Sequence, residues 1–110
     1  MRESAVRSKV RQYLNGLVKS SWHSVHTGGF TRPGTPDILG CYLGFFVAVE
    51  TKAPGRQLTK SQQFVKREIE EANGVYIVAS SVEEVVEGLR KLLERVKDGS
   101  YQPLEIQTTS

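Results

Sequence analysis

Two apolar runs separated by two residues constrain the fold of this chain more than any other feature. The first run is Ile38–Tyr42 and the second is Phe45–Thr51, with Leu43-Gly44 between them. Short apolar runs joined by so short a connection predict a β-hairpin. Both alternating faces of the second run are apolar, which is typical of an interior strand that is covered on both sides.

The segments around this hairpin alternate between helical and extended patterns. In chain order, the predicted elements are a helix over residues 2–18, a strand over 22–27, the hairpin, a helix that opens with a capping box at Thr59 and stops at Gly74, a strand over 75–79, and a helix from Ser81 to Gly99. The predicted fold is therefore α/β in the order α-β-β-β-α-β-α, with a central mixed sheet flanked by helices. We expect one domain over residues 1–98 and a polar tail over residues 99–110.

Composition and charge narrow the class of protein. The chain has 110 residues, enough for one hydrophobic core. Its single cysteine excludes an internal disulfide. Neither a membrane-spanning stretch nor an export signal is apparent in the sequence. We therefore expect a cytoplasmic protein without membrane contact. Residues 1–34 carry six Lys and Arg against one acid, whereas residues 63–110 carry six against nine. This basic first third favours an anionic partner such as nucleic acid, although a merely solvated basic helix has the same composition.

The hairpin also brings charged residues together. If Leu43-Gly44 is a two-residue loop, the register that pairs Tyr42 with Phe45 places Asp37 opposite Glu50. Opposed Cβ atoms in such a pair lie about 4.5–5.5 Å apart. Lys52 follows Glu50 by two residues and so points to the same face. A three-residue loop with a glycine bulge would shift this register by one residue, and that alternative stays open at this point.

Two adjacent carboxylates repel each other unless a cation lies between them or one is protonated. Oxygen ligands on an open site suit Mg²⁺ or Mn²⁺, and a nearby lysine can assist an attacking water, so the trio is suited to phosphodiester hydrolysis.

Two polar residues stand at the start of the buried stripes of predicted helices. Glu3 is either a favourable charge in a first turn or an acid directed at this site, and Gln62 is a capping residue, a site residue, or both.

The pattern resembles a known family. A helix, three strands with Pro36-Asp37 before the second and Glu50-Thr51-Lys52 closing the third, then a helix and a strand, is similar to the PD-(D/E)xK nuclease superfamily, whose core is restriction-endonuclease-like. Gly34–Ile38, the leucine-threonine-x-x-glutamine of Leu58–Gln62, and Ala72-Asn73-Gly74 are similar to the VRR-NUC domain, the virus-type replication-repair nuclease. The resemblance covers about residues 1–95.

The resemblance implies a Mg²⁺-dependent endonuclease, with Mn²⁺ able to substitute, that acts in replication, repair or recombination. Its substrate would be branched DNA such as Holliday junctions, and free-standing members are associated with homodimers in phages and bacteria, hence a bacterial cytosol or a phage-infected cell. The implied metal ligands are Asp37, Glu50, the backbone carbonyl of Thr51, and Glu3 directly or through water. Lys52 would be the catalytic lysine and Gln62 would reach the same pocket, while the Thr51 side chain should face away.

Several basic residues are candidate nucleic-acid contacts. They are Arg32 in the loop before the acids, Arg56 and Lys60 before the second predicted helix, and Arg7 and Arg11 on the first. Two other interpretations keep the fold without catalysis: a nucleic-acid-binding module that needs no acid–acid–lysine trio, and an assembly protein with an exposed apolar patch and no metal uptake.

Overall fold

Three helices and four strands follow one another in the predicted order. The computed structural model describes residues 1–25 and 32–102. The elements are α1 (Glu3–Asn15), β1 (Ser20–Ser24), β2 (Ile38–Tyr42), β3 (Phe45–Thr51), α2 (Lys60–Glu71), β4 (Val75–Ala79) and α3 (Val82–Lys97). The α/β class and the order α-β-β-β-α-β-α are confirmed. In these two ranges, no helix is long and apolar enough to cross a membrane.

The four strands form one mixed sheet in the order β1-β2-β3-β4. β2 runs antiparallel to both β1 and β3, whereas β4 runs parallel to β3 after the crossover through α2. Ile38 pairs with Val49 and Tyr42 with Phe45, which is the register predicted for a two-residue loop. Leu43 and Gly44 both have positive φ, 52° and 90°, as a primed hairpin turn requires, and so Leu43 adopts a conformation that is unusual for its type.

Helices cover the two faces of the sheet differently. α1 and α3 contact each other and the sheet face that carries Val47, Val49 and Ile77, and together they form the main core. α2 contacts β4, and its Gln62 reaches the opposite face of the sheet, where Glu50 lies. The interior strand β3 is therefore buried along Val47–Thr51, as its two apolar faces predicted.

The structure differs from the sequence prediction at some element ends. α1 stops at Asn15 rather than residue 18, because Gly16 caps it and Lys19 adopts a positive φ of 53° that turns the chain into β1. β1 starts two residues earlier than predicted and ends at Ser24; the predicted strand residues His26 and Thr27 lie outside the described residues.

The chain after α3 returns to the sheet. Tyr101 is half-buried beside Phe45, with ring centroids 4.9 Å apart, and its hydroxyl donates to the Asn73 carbonyl. Gln102 accepts a hydrogen bond from the Asn73 side chain through its own carbonyl. The start of the predicted tail therefore contacts the domain, and residues 103–110 lie outside the described part.

Gly34 brings the loop before Asp37 against the first turn of α2. Its φ is 85°, and a Cβ there would lie 2.3 Å from the Ser61 carbonyl oxygen and 3.0 Å from the Gln62 nitrogen. No L-residue side chain fits at such distances without a backbone shift. The close approach positions Asp37 and Gln62 relative to each other.

Gly34→Ala should lower the free energy of unfolding by about 2–4 kcal/mol, because it adds a backbone clash to the strain of a positive φ. Gly55→Ala is the matched control, since Gly55 has a φ of 83° but nothing within 4 Å of the added Cβ. The control should lose only about 1 kcal/mol, the cost of the φ alone. Urea denaturation measures both, and equal losses would show that the contact with α2 does not matter.

Candidate active site

The charged residues predicted from the hairpin meet at one end of the sheet. At this end β3 finishes at Thr51, and Asp37 immediately precedes β2. The starts of α1 and α2 approach the same end, which brings in Glu3 and Gln62. Four chain segments that are distant in sequence therefore contribute to one polar cluster.

Asp37 has one oxygen that is hydrogen-bonded and one for which the described residues supply only an ion pair. Its Oδ2 accepts from the Thr51 backbone N–H at 2.8 Å and from the Thr51 hydroxyl at 2.6 Å. The prediction that the Thr51 side chain faces away from the site is therefore wrong. β2 begins only at Ile38, so the Asp37 carboxylate takes the place of a strand neighbour and satisfies both Thr51 donors. Its Oδ1 faces Arg7, whose Nε lies 3.9 Å away.

The two carboxyl oxygens of Glu50 also differ in their hydrogen bonding, and this group lies deeper in the protein. The residue is only 2% exposed, and its Oε2 accepts from the Gln62 side-chain amide at 3.1 Å. Its Oε1 is buried and has no hydrogen-bond partner in residues 1–25 and 32–102. Within the described residues, each acid thus has one oxygen that accepts hydrogen bonds and one that accepts none.

Gln62 performs both of the roles considered for it. The Gln62 side-chain oxygen accepts from the Thr59 backbone N–H at 2.9 Å, and the Gln62 backbone N–H donates to the Thr59 hydroxyl at 3.2 Å. These two hydrogen bonds complete the capping box of α2. The amide group at the same end of the side chain donates to Glu50. The cap therefore orients the amide that holds the Glu50 carboxylate.

Burial raises the pKa of Glu50 to about 8, and the neighbouring charge of Asp37 is the next largest cause. Lys52 opposes this shift, and Glu3 adds to it. Without another cation, the Glu50 carboxyl is therefore mostly protonated at neutral pH. A divalent cation at the available oxygens would favour the ionised form.

Arg7 supplies positive charge from α1. Its Nη2 lies 3.7 Å from Glu3 Oε2, one helical turn earlier, and its Nε faces Asp37. That Nε is buried and lacks a hydrogen-bond partner within the described ranges. We predicted Arg7 as a nucleic-acid contact, and the structure places it beside two of the predicted metal-binding acids.

Lys52 lies at the same sheet end and is 9% exposed. Its backbone N–H donates to the Ala79 carbonyl at 2.9 Å, which extends the β3–β4 pairing by one residue. Alternation along the strand directs its side chain to the face of Glu50, and its charge lowers the Glu50 pKa as a nearby ammonium should. Lys52 therefore lies at the same sheet end as Asp37 and Glu50 and close enough for its charge to act on Glu50.

A divalent cation fits the donors that the site presents, although they are few. In the described part of the chain, no group of three or more His, Cys, Asp and Glu is close enough to hold a metal ion. Mg²⁺ commonly uses one or two carboxylates and completes its shell with water and substrate phosphate. The buried Oε1 of Glu50, which has no partner among the described residues, and the Oδ1 of Asp37 are suitable for such a cation.

The predicted nucleic-acid contacts occupy different positions. Arg32 and Lys60 line one surface cavity, where Arg32 pairs with Glu68 at 2.7 Å. Arg56 is exposed in the turn after β3, and Arg11 donates from α1 to the Ser24 hydroxyl at 3.3 Å.

Sequence reasoning missed Tyr76, a neighbour of the acids, and Phe64, which lines the cavity with Arg32 and Lys60. Tyr76 on β4 lies on the same face of the sheet as Glu50. Burial raises the pKa of its phenol far above the usual range, and the charges of Glu50 and Asp37 raise that pKa further. The alternation along residues 75–79 could have identified it. Phe64 was overlooked because the apolar stripe of α2 passes through Val65 instead, and Phe64 is left 52% exposed.

The chain has no match among protein-family models, and no curated protein matches it closely enough to be called a relative. Any function proposed for this chain therefore rests on the geometry of its site and on the motifs in its sequence.

Glu50→Gln should stabilise the protein at high pH in the presence of EDTA. Because folding raises the Glu50 pKa from 4.5 to about 8, its favourable contribution is complete below pH 4.5 and is lost as the pH rises through about 8. The wild-type protein should therefore lose about 2–4 kcal/mol between pH 5 and pH 9 that the variant retains. Denaturation at a series of pH values tests this, with the exposed Glu71→Gln as control. Parallel wild-type and Glu50→Gln profiles would contradict it.

Proposed function

We propose that the protein is a divalent-cation-dependent nuclease that hydrolyses phosphodiester bonds in DNA, on a restriction-endonuclease-like core of the PD-(D/E)xK type and similar to the VRR-NUC domain. The observation that carries this proposal is the acid pair. Asp37 and Glu50 each leave one oxygen available, and the one on Glu50 is buried without a partner among the described residues. A buried carboxylate in this state is costly unless a cation or a proton compensates its charge.

Asp37 Oδ1 and Glu50 Oε1 would hold the cation, together with the Thr51 carbonyl and, directly or through water, Glu3. A bound Mg²⁺ would polarise the phosphodiester and lower the pKa of a coordinated water. The protein's own residues supply the remaining functions. Thr51 and Gln62 fix the two carboxylates through their other oxygens, so that the available oxygens keep their positions.

Lys52 acts on the reacting groups in this proposal. The residue is largely buried at the sheet end, where its ammonium would orient the attacking water and stabilise the negative charge that develops on the phosphate. The attacking water loses one proton to solvent as its oxygen bonds to phosphorus, the bond to the leaving oxygen breaks, and that oxygen takes up a proton from solvent. Arg7, close to Asp37, is positioned to neutralise the acids before the cation arrives.

The substrate proposed is branched DNA, such as a Holliday junction, during replication, repair or recombination in a bacterial or phage-infected cell. Two symmetric cuts in a four-way junction need two sites, which a twofold homodimer provides. The β2–β3 hairpin is a candidate dimer element, because Leu43 and Phe46 are 40% and 46% exposed there. Sedimentation velocity at micromolar concentration tests the dimer separately from catalysis.

Asp37→Asn and Glu50→Gln should each reduce Mg²⁺-dependent cleavage at least about 100-fold while the protein stays folded, because each removes a charged ligand. The assay uses single-stranded, duplex, flap, fork and four-way-junction DNA, with and without Mg²⁺. Glu71→Gln, an exposed acid on α2, is the control and should cleave normally. Full activity in both site variants would exclude this mechanism and favour the alternative of a non-catalytic binding or assembly module.

Lys52→Ala should lower kcat about 100-fold or more and leave DNA affinity nearly unchanged, because its charge acts in the transition state. Lys97→Ala, an exposed lysine at the end of α3, is the control. Single-turnover cleavage and anisotropy binding separate the two effects. A loss of affinity with unchanged kcat would make Lys52 a phosphate contact only.

Arg7→Gln should bind Mn²⁺ about three- to tenfold more tightly than the wild type, since Arg7 competes for Asp37 Oδ1. Calorimetric titration without DNA measures this, with Arg11→Gln as the matched control on the same helix. Equal or weaker binding by Arg7→Gln would show that Arg7 does not compete with the cation.

A further inference from the structure

A shallow cavity of about 400 Å³ opens on the outer side of the first turns of α2. It is lined by Arg32, Pro33, Lys60, Ser61 and Phe64. The Phe64 ring is 52% exposed and contributes nothing to the main core. The Arg32 guanidinium lies over this ring, 5.7 Å from its centroid, and is held there by its 2.7 Å ion pair with Glu68.

The lining is suited to a flat apolar ring that carries an anionic group. Phe64 offers an aromatic surface, and Lys60, one helical turn earlier, lies on the same side of α2. Arg32 supplies a second cation from the facing loop, although Glu68 offsets part of its charge. Nucleic-acid proteins hold single strands with this combination of basic groups along the backbone and an aromatic platform for a base.

The cavity is coupled to the acid pair through the start of α2. Ser61 lines the cavity, whereas the next residue, Gln62, points to the sheet and binds Glu50. Gly34 packs against the Ser61 carbonyl and so places the loop that carries Arg32 at one end and Asp37 at the other. A strand with a phosphate at the acids would therefore have neighbouring nucleotides close to Phe64.

We propose that this cavity is a stacking site for an unpaired nucleobase, with the base replacing Arg32 over the Phe64 ring and with Lys60 and the displaced Arg32 contacting the adjoining phosphate. Its connection with cleavage rests on the proposed nuclease function. In a continuous duplex the bases are paired and stacked, and none is free to enter the cavity. The preferred substrate class is then DNA with unpaired bases beside the cut, as in flaps, forks or junctions with an open arm.

The test measures binding in EDTA, where no cleavage occurs, by fluorescence anisotropy. The probes are a labelled oligothymidylate and a labelled duplex of equal length. Phe64→Ala should weaken binding to the single strand about 5- to 100-fold and binding to the duplex less than twofold. Phe64→Trp should retain single-strand binding, because the platform is preserved.

Leu93→Ala is the matched control, because Leu93 is a 39% exposed apolar residue that lies on α3, away from the cavity. It should bind both probes like the wild type. Unchanged single-strand binding by Phe64→Ala, an equal loss on both probes, or no binding of the single strand by the wild type would each overturn the proposal. The proposed nuclease is judged separately by cleavage. Cleavage that depends on Asp37 but not on Phe64 overturns the stacking site alone, whereas Phe64-dependent binding without cleavage overturns the nuclease alone.

Discussion

The burial of the Glu50 carboxyl group is the constraint on which the rest of the site depends. Glu50 lies on an interior strand and is almost entirely removed from solvent, with Asp37 as a neighbour of like charge. A hydrogen bond from the Gln62 side chain satisfies one of the two carboxyl oxygens, Oε2. The other oxygen has no hydrogen-bond partner among the described residues, and burial raises the pKa of the group, so that a proton or a cation is favoured there. Stability alone would favour an apolar residue here, so the carboxyl group requires a functional explanation.

Several local contacts, rather than one strong interaction, hold this carboxyl group in place. The hairpin register places Asp37 near Glu50, and the strand end supplies Thr51 as a double donor to Asp37. The capping box of α2 orients Gln62, and the side-chain-free Gly34 allows the preceding loop to approach that helix. A change in any of these would move one carboxylate relative to the other. The site is therefore sensitive to backbone geometry at three element ends.

Much of this arrangement could be predicted from the sequence, because it depends on local rules. The order of elements and the capping box of Thr59 and Gln62 follow from periodicity and capping chemistry, and the structure confirms them. The two-residue loop at Leu43-Gly44 is one of two alternatives, because leucine rarely adopts a positive φ, and the structure shows that loop. Contacts between elements could not be obtained in this way. The approach of Arg7 to Asp37, the Thr51 hydroxyl bond and the return of Tyr101 to Phe45 depend on how helices and loops pack in three dimensions.

Asp37 and Glu50 are proposed to form a cation site through the two oxygens that the fold leaves available. Anomalous X-ray diffraction from crystals of the protein grown with Mn²⁺ tests this most directly. We expect a manganese peak in contact with Asp37 Oδ1 and Glu50 Oε1, while Thr51 and Gln62 keep their hydrogen bonds to the other oxygens. Mn²⁺ bound elsewhere, or no peak at the acids at a saturating concentration, would contradict the proposed site.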